Sequence, residues 1–458
     1  MNREQRTVLV ISAIGAFLTP FLLSSVNIAL PAIARDLKMN AMAMSWIPSS
    51  FLLSAAVFLL PSGKLADIAG RKRIFLLGII IFTLATAVAG MSVNAVMLIV
   101  SRIMQGIGST MVAATGTAII TSVFPAGKRG RALGLNVSGV YLGLSAGPFI
   151  GGFLTEHFGW RSIFWAGIPV GLTVIFLVLI YLRSEWKSDL AATFDWTGSM
   201  LYAISLVLIM TGLPKLREGW GFAVVTAGMF LGAVFLFYEK KARSPLIDTG
   251  LLFRNRTFAF SNLAALINYS ATSAIVFLLS LYLQYIKHFG PRESGLIILT
   301  QPVLMALLSP LSGRLSDHID PRIVASAGMA LCTAGLFILA GIQTDTNVSW
   351  LLIALVILGI GFALFSSPNT NAIMGSVSRE FLGVASAMVG TMRLTGQMMS
   401  MGIAMLVLSV FIGKNQINPS NQEAFLHASR VLFLSFSGLS LLGVFASLAR
   451  GKKAKSAD

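Results

Sequence analysis

Apolar residues fill this chain in long runs, interrupted by short polar or Pro/Gly-rich breaks. A helix that crosses a bilayer needs about 20 mostly apolar residues. By that measure fourteen segments qualify, at roughly 8–30, 46–62, 74–92, 94–123, 132–154, 162–182, 196–213, 220–237, 257–286, 295–312, 323–342, 349–374, 381–412 and 430–449. Only about 183–195 and 239–256 form loops of any size, which leaves no room for a soluble domain. The pattern predicts an all-α integral membrane protein with fourteen transmembrane helices. Composition agrees, because 56% of the 458 residues are hydrophobic and only 11% are charged. Arg3 and Arg6 ahead of the first run imitate a signal peptide, but that run is too long and has no small-x-small cleavage site. It is expected to be the first span.

The net charge of +17 would suggest nucleic acid in a soluble protein. Here the basic residues gather in loops on one side of the membrane, the side that faces the cytoplasm. That set holds Lys64, Arg71, Lys72 and Arg73, then Lys128, Arg129 and Arg131, and finally Arg450, Lys452, Lys453 and Lys455. Fourteen spans with both termini inside fit the distribution, in the plasma or inner membrane of a prokaryote, since no organelle signal is present. No aromatic–basic interleaving or zinc spacing supports a nucleic-acid partner, and none is expected; the partner is the lipid bilayer.

Two copies of one short signature reveal a duplication. Gly63-Lys64-Leu65-Ala66-Asp67-Ile68-Ala69-Gly70-Arg71-Lys72-Arg73 follows the second span, and Gly313-Arg314-Leu315-Ser316-Asp317 follows the tenth. Both come just past a proline, Pro61 or Pro310. An offset of eight spans arises when a six-helix repeat has two helices inserted between its copies. The expected division is therefore 1–183 for one six-helix bundle, 184–245 for the inserted seventh and eighth helices, and 246–458 for the second bundle. Gly130 and Gly143 at the fifth span echo Gly383 and Gly396 at the thirteenth, under the same offset.

These residues resemble the major facilitator superfamily, specifically its fourteen-helix drug:proton antiporter family. Gly63 to Arg73 resembles that superfamily's loop 2–3 motif. Arg102-Ile103-Met104-Gln105-Gly106-Ile107-Gly108 in the fourth span is similar to its R-x-x-Q-G-x-G motif. Gly139, Gly143, Gly147, Pro148, Gly151 and Gly152 match the antiporter motif ending G-P-x-x-G-G, and Asn27 to Pro31 match the first-span signature. Phe194-Asp195-Trp196 and Leu252 to Arg256 are also typical. The resemblance implies two six-helix bundles around a central cavity, alternating access, export of small amphipathic molecules in exchange for protons, and a monomer. One position departs. The family pattern often carries an acid five residues before the Asn of Asn27, where this chain has Leu22, and no Asp or Glu falls deep within a span. Glu156, at the outer end of the fifth, comes closest.

The resemblance makes Gly63, Asp67, Gly70, Arg71, Gly313 and Asp317 gating residues. A carboxylate at a helix N-terminus is stabilised by free N–H groups and the dipole, so Asp67 is expected to reach the start of the thirteenth helix near Ser376 and Ser378. Arg71, Lys72 and Arg73 either pair with Asp67 or bind anionic lipid. Gly143, Gly147, Pro148, Gly151 and Gly152 should break and narrow the fifth helix, either as a bend that alternates access or as close packing. Arg102 and Arg393 are cations inside spans, and such residues face a cavity or a polar partner. Arg102, with Gln105, is either a relay or a contact to substrate in the cavity, or else the arginine is a fastener to the backbone of the first helix. Two embedded arginines without a deep acid favour neutral, zwitterionic or anionic substrates. Polar residues within spans, Asn27, Asn268, Gln301 and Gln397 foremost, are further cavity candidates; Ser24, Ser25, Asn262, Tyr269, Asn369 and Asn371 join them.

No catalytic constellation, cofactor motif or metal site is visible. His157, His288, His318 and His427 lie in different loops, the lone Cys332 excludes an intrachain disulfide, and Gly359-Ile360-Gly361 sits inside a span. No enzyme activity is expected, and without a P-loop any transport is secondary. The alternatives to proton-coupled export are a proton-independent exporter, a lipid or metabolite transporter, and a transporter-like sensor that moves nothing.

Overall fold

The computed structural model describes residues 3–182, 184–187, 194–242, 245–247, 250, 255–377, 382–413, 415, 417 and 421–451. The side chains of 3, 126–131, 317, 382 and 383 lie outside that description. Helices α1 (Arg3–Asp36), α2 (Ala41–Ala69), α3 (Arg71–Gly90), α4 (Ala95–Val123), α5 (Ala126–Phe158) and α6 (Arg161–Tyr181) come first. Then α7 (Trp196–Gly212) and α8 (Trp220–Glu239) are joined by a 3-10 turn, Leu213–Glu218. The last six are α9 (Arg256–Ile286), α10 (Pro291–His318), α11 (Pro321–Leu339), α12 (Val348–Gly375), α13 (Leu382–Phe411) and α14 (Gln422–Leu448). All fourteen are long and apolar enough to cross a membrane. Short connections send successive helices in opposite directions, so the start of α1 and the end of α14 share one face, called here the near face; the opposite face is the far face.

Local chemistry marks the helix starts. Asn40, Asn94, Asp195, Asn255, Asp320 and Asn347 each accept a bond from a first-turn N–H of α2, α4, α7, α9, α11 and α12. One interruption was not visible in the hydropathy. α9 is α-helical over Arg256–Thr272, turns at Ser273 and Ala274, resumes at Ile275–Leu281 and ends in a π turn over Tyr282–Ile286. Inside a bilayer a freed backbone group must find a partner. Here the Ala274 N–H donates to Ser400 Oγ of α13 at 3.0 Å.

Within α1–α6 the main packing pairs are α1 with α4, α5 and α6, α2 with α4, and α3 with α4 and α6. Within α9–α14 they are α9 with α12, α13 and α14, α10 with α12, and α11 with α12 and α14. Each pair in the second set is the first set shifted by eight helices, as a duplicated six-helix bundle requires. The bundles meet along two seams, α2 against α13 and α5 against α10, which the same shift interchanges. The insert lies over the first seam. Tyr202 of α7 donates to the Ala56 carbonyl of α2 at 3.2 Å, and Ser409 of α13 donates to the Pro214 carbonyl at 3.0 Å.

Backbones approach most closely around α5. Pro148 lies inside α5 without ending it, which corrects the expected break: the helix runs unbroken from Ala126 to Phe158. The narrowing is real. Ser25 of α1 donates to the Gly147 carbonyl at 3.0 Å, and a side chain on Gly139, Gly143 or Gly147 would strike the carbonyl of Ala13, Phe17 or Phe21. On the opposite side, a Cβ on Gly152 would stand 3.0 Å from the Arg292 Cα of α10, and one on Gly295 would overlap the Pro148 carbonyl. Small residues allow this approach, and packing replaces the hydrophobic drive that lipid cannot supply. Gly295→Val is expected to cost at least about 1–3 kcal/mol of overpacking, seen as a lowered melting temperature of the detergent-purified protein. Gly134→Ala, on the same α5 with nothing within 4 Å of its Cβ, should leave it unchanged.

Candidate functional site

Where the bundles face one another at mid-height, α5, α9, α12 and α13 bring polar and aromatic groups together. Tyr141 Oη of α5 and Ser366 Oγ of α12 share a hydrogen bond of 3.5 Å across the bundles. Ser366 also lies beside the Tyr269 hydroxyl of α9, and the Arg393 guanidinium of α13 acts on that phenol. The Tyr269 ring meets Phe362 edge-on, with centroids 5.5 Å apart and planes at 70°. Tyr141, Tyr269, Ser366 and Arg393 are all half-buried, so the group is reachable rather than sealed. Arg393 makes no ion pair among the described residues. Of the candidates read from sequence, Arg393 and Tyr269 come together here, and the half-buried Gln397 lies one turn further along α13; Tyr141, Phe362 and Ser366 were missed, because a single Tyr, Phe or Ser within a span carries no signal until its neighbours are known.

The other amide candidates are dispersed along the bundle interiors. The buried oxygens of Asn27, Gln301 and Asn369, and the Asn268 Nδ2, have no protein partner. A buried polar atom left unpaired costs about 1–3 kcal/mol, so each can gain by meeting a polar ligand. Asn136 Oδ1 of α5 belongs with them. Asn371 instead donates to Ser316 Oγ at 2.8 Å, and Ser24 binds the Pro20 carbonyl at 2.8 Å, so both are already satisfied.

Arg102 stands apart from this group, fully buried inside the first bundle. Its Nη1 donates to Gln105 Oε1 at 2.7 Å, and Gln105 Nε2 donates to Thr86 Oγ1 of α3 at 2.8 Å. Its Nε points to the Ile47 carbonyl at 3.4 Å, and its guanidinium lies 4.5 Å from the Phe51 ring centroid. The arginine therefore fastens α4 to α2 and α3, a correction to the expected fastening on the first helix: α2 presents both a carbonyl and an aromatic face, a pairing well suited to guanidinium. Nη2 has no partner. Leu22 is fully buried too, 3.2 Å from where a Cβ on Gly167 of α6 would stand, and Thr86 touches the same point. The position where the family pattern often has an acid thus faces the core beside the arginine network, away from the space between bundles.

At the near face Asp67 Oδ1 accepts from Arg71 Nη2 at 3.0 Å, and Arg71 Nη1 donates to the Ala118 carbonyl at 3.2 Å and to Ser122 Oγ at 2.7 Å. These bonds tie α2, α3 and the end of α4 within one bundle. The expected reach of Asp67 to α13 is not seen among the described residues, because the guanidinium at the start of α3, just across Gly70, takes the carboxylate. Ser378 and the Asp317 side chain lie outside the described residues, whereas Ser376 caps α12 and offers its carbonyl to Asn255 Nδ2 at 2.6 Å. Gly70 holds φ +108 between α2 and α3, with Glu185 2.7 Å from where its Cβ would be, so only glycine fits. Glu185 also takes the Lys72 N–H at 2.9 Å and pairs with Arg73 at 3.8 Å. A Cβ on Gly63 would meet open space, and one on Gly313 would stand 2.9 Å from Ser367 Oγ. A second buried guanidinium, Arg450 just past α14, was expected in the basic loops of the cytoplasmic side; burial lowers its pKa to about 10, and Asp320 opposes that fall.

The carboxylate-to-helix contact sought for Asp67 appears at the far face instead. Glu156 at the end of α5 accepts the Arg292 N–H in the first turn of α10 at 3.1 Å, the geometry a helix N-terminus favours. Beside it Gln284 of α9 donates to the Ile28 carbonyl of α1 at 2.8 Å. The described hydrogen bonds that join the bundles directly thus lie at the far face and at mid-height.

Two outcomes test these assignments. Gln105→Leu should strand the Arg102 charge and cost about 3–5 kcal/mol, whereas Arg102→Leu with Gln105→Leu should recover most of it; thermal unfolding measures both, and equal losses would refute the fastener role. Glu156→Leu removes a charged bond of about 1.5–3 kcal/mol. In a Cys332→Ser background, a cysteine placed at the buried Ser294 of α10 should then react with a maleimide at least about tenfold faster; an unchanged rate would mean that this contact closes nothing.

Comparison with known proteins agrees with the architecture. A model of the Major Facilitator Superfamily matches residues 12–238 and 261–457. The riboflavin transporter RibZ of Clostridioides difficile is 31% identical over 446 residues, covering 96% of this chain and 96% of that protein. Multidrug resistance protein Stp of Mycobacterium tuberculosis is 30% identical over 418 residues, 90% of this chain and 77% of that one. A POT family transporter solved in complex with 5-aminolevulinic acid superposes with TM-score 0.72 at 15% identity, over 95% of this chain and 94% of that one. The human organic anion transporter MFSD10 does so with TM-score 0.67 at 14% identity, over 97% and 99%. These two share the fold alone. With fourteen spans, a bundle repeated at an offset of eight helices and a family match across both copies, this chain belongs to the Major Facilitator Superfamily.

Proposed function

We propose that this chain is a secondary exporter of amphipathic small molecules, working as a monomer in a prokaryotic inner membrane with its near face in the cytoplasm. Bundles 1–183 and 246–458 rock about the central space while the insert 184–245 rides on the α2–α13 seam. The favoured substrates are neutral or anionic molecules with a flat ring. The observation that carries this reading is the group of Tyr141, Tyr269, Phe362, Ser366 and Arg393 between the bundles: aromatic faces, hydroxyls and one guanidinium without an ion-pair partner among the described residues. Such a set can stack on a planar ring and neutralise an acidic substituent. The related riboflavin transporter and multidrug resistance protein bear names consistent with substrates of this kind. Gln284 on Ile28 and Glu156 on α10 close the far face, so substrate enters from the near face, and export requires those contacts to part.

Proton exchange is the proposed driving reaction. Uncoupled export is the second reading, favoured by Leu22, which puts an aliphatic group in the core where an acid would otherwise stand. Both are tested by reconstituting the protein in liposomes that contain a pH-sensitive dye and supplying neutral, anionic and cationic planar amphiphiles. Proton movement with neutral or anionic compounds is expected. Arg393→Gln should cut transport of the anions by about tenfold or more, the value of one lost charged contact, and spare the neutral ones. Preferential, saturable transport of a permanent dication would refute the substrate class, and transport without proton flux would leave the uncoupled exporter.

A further inference from the structure

Among the described residues Glu239, the last of α8, is the one Asp or Glu that is fully buried, with 2% of its surface exposed. Its Oε2 accepts the Ile247 N–H at 3.0 Å, while its Oε1 has no partner. Across from it stands Asp195, the N-cap of α7. Asp195 Oδ1 accepts the Gly198 N–H at 2.8 Å and the Tyr238 hydroxyl at 3.2 Å, and its Oδ2 is likewise buried without a partner. The two partnerless oxygens converge on one place. The point where a Cβ on Gly198 would stand is 2.5 Å from Glu239 Oε1 and 2.6 Å from Asp195 Oδ2. Gly198 has no side chain to separate them.

The chemistry of this meeting is restrictive. The Ile247 bond falls on Glu239 Oε2 and the Gly198 and Tyr238 bonds on Asp195 Oδ1, the Leu246 N–H also acts on Glu239, and a carboxylate supplies no proton of its own. Two carboxylates facing each other out of water cannot both ionise cheaply. Neither makes an ion pair among the described residues. The charge that acts on Glu239 from outside the pair is Lys64 of α2, which belongs to the G-x-L-x-D signature. The other titratable groups around the pair are Tyr238, bonded to Asp195, and Lys240, whose ammonium lies over the Phe237 ring at 5.2 Å.

We propose that Glu239 and Asp195 form a proton-binding site, holding a single proton between Glu239 Oε1 and Asp195 Oδ2 at the near-face junction of the insert with α2. The pair then carries one negative charge when protonated and two when not. Losing the proton strengthens its pull on Lys64 and so ties the end of α2 more firmly to the insert. The chain thereby gains an acid site that its membrane-embedded spans do not show in sequence, and the site is independent of which substrate occupies the central space.

Difference infrared spectroscopy on the full-length chain in lipid nanodiscs tests this directly. At neutral pH the protein should show the carbonyl band of a buried protonated carboxyl, lost in one step on alkaline titration. Glu239→Gln keeps the shape and gives Asp195 Oδ2 an amide donor, so the protein should fold and the band should vanish. Asp195→Asn removes the neighbouring charge, and the remaining Glu239 should then titrate at a pH lower by about one unit or more, a tenfold weaker hold on the proton. If Glu239→Gln does not yield a monodisperse protein, the Asp195→Asn shift decides alone. Absence of the band in the unsubstituted chain at neutral pH, its survival in Glu239→Gln, or an unshifted titration in Asp195→Asn would each overturn the proposal. So would loss of the band on adding potassium chloride at fixed pH, which would mark a cation site instead.

Discussion

The structure depends on one helix being able to touch two others backbone to backbone. α5 lies against α1 within its own bundle and against α10 of the other, and glycines supply both contacts. Gly139, Gly143 and Gly147 recur every four residues and so form one stripe toward α1, while Gly152 falls outside that register and meets α10. Gly295 returns the favour from α10 at Pro148. In lipid, apolar side chains gain little by leaving the bilayer for each other, so close van der Waals contact and interhelical bonds must hold the bundle. A helix that carries the intra-bundle and the inter-bundle contact on different faces can keep the first while the second slides. Under the alternating access proposed above, that division of labour, more than any bend at Pro148, would let a rigid bundle move against its partner.

Charge is handled by the same economy. Arg102 is buried with an amide, a carbonyl and an aromatic ring around it, and with no ion pair among the described residues. A planar guanidinium can stack on the ring while its several N–H groups reach the amide and the carbonyl, whereas an ammonium is a compact point charge that cannot spread over all three in that geometry. The arrangement fixes α2, α3 and α4 as a unit and leaves Arg393 as the span cation that faces the space between bundles. In the proposed function, the preference for neutral or anionic substrates rests on which arginine is committed to structure and which is not, rather than on the total of basic residues.

Spans, caps and the duplication were legible in sequence because each rests on a local rule. Twenty apolar residues, an Asn or Asp before a helix, and a repeated G-x-L-x-D need no knowledge of neighbours. What escaped was tertiary. The partner of Asp67 was sought at the start of the thirteenth helix, and proximity along the chain gave it Arg71 instead. The break in α9 leaves the hydropathy unchanged, because Ser273 and Ala274 are no more polar than their surroundings; only Ser400 on α13 makes it tolerable. Glu239 fell just outside a span ending at about 237, so its burial was invisible until the segment at Ile247 folded over it. Tyr141 and Phe362 look like ordinary lipid-facing aromatics until α5 and α12 are placed opposite each other.

The duplication also shows where the two halves stopped being equivalent. Shifting α5–α10 by eight helices gives α13–α2, and both seams close at the far face on a helix N-terminus. On one side the Glu156 carboxylate receives the Arg292 N–H of α10 at 3.1 Å. On the other the Asn415 carbonyl, just past α13, receives the Ala41 N–H of α2 at 3.1 Å. The lengths match but the acceptors do not. A bond to a charged group contributes about 1.5–3 kcal/mol against about 0.5–1.5 for a neutral one, and only the carboxylate also gains from the helix dipole. The seam left open to lipid therefore carries the stronger latch, while the seam covered by the inserted helices, where Tyr202 already holds α2, manages with the weaker one. Seen this way the insert does part of the work of closing its own seam, and the bundle beneath it was free to keep a backbone carbonyl where its counterpart needed an acid.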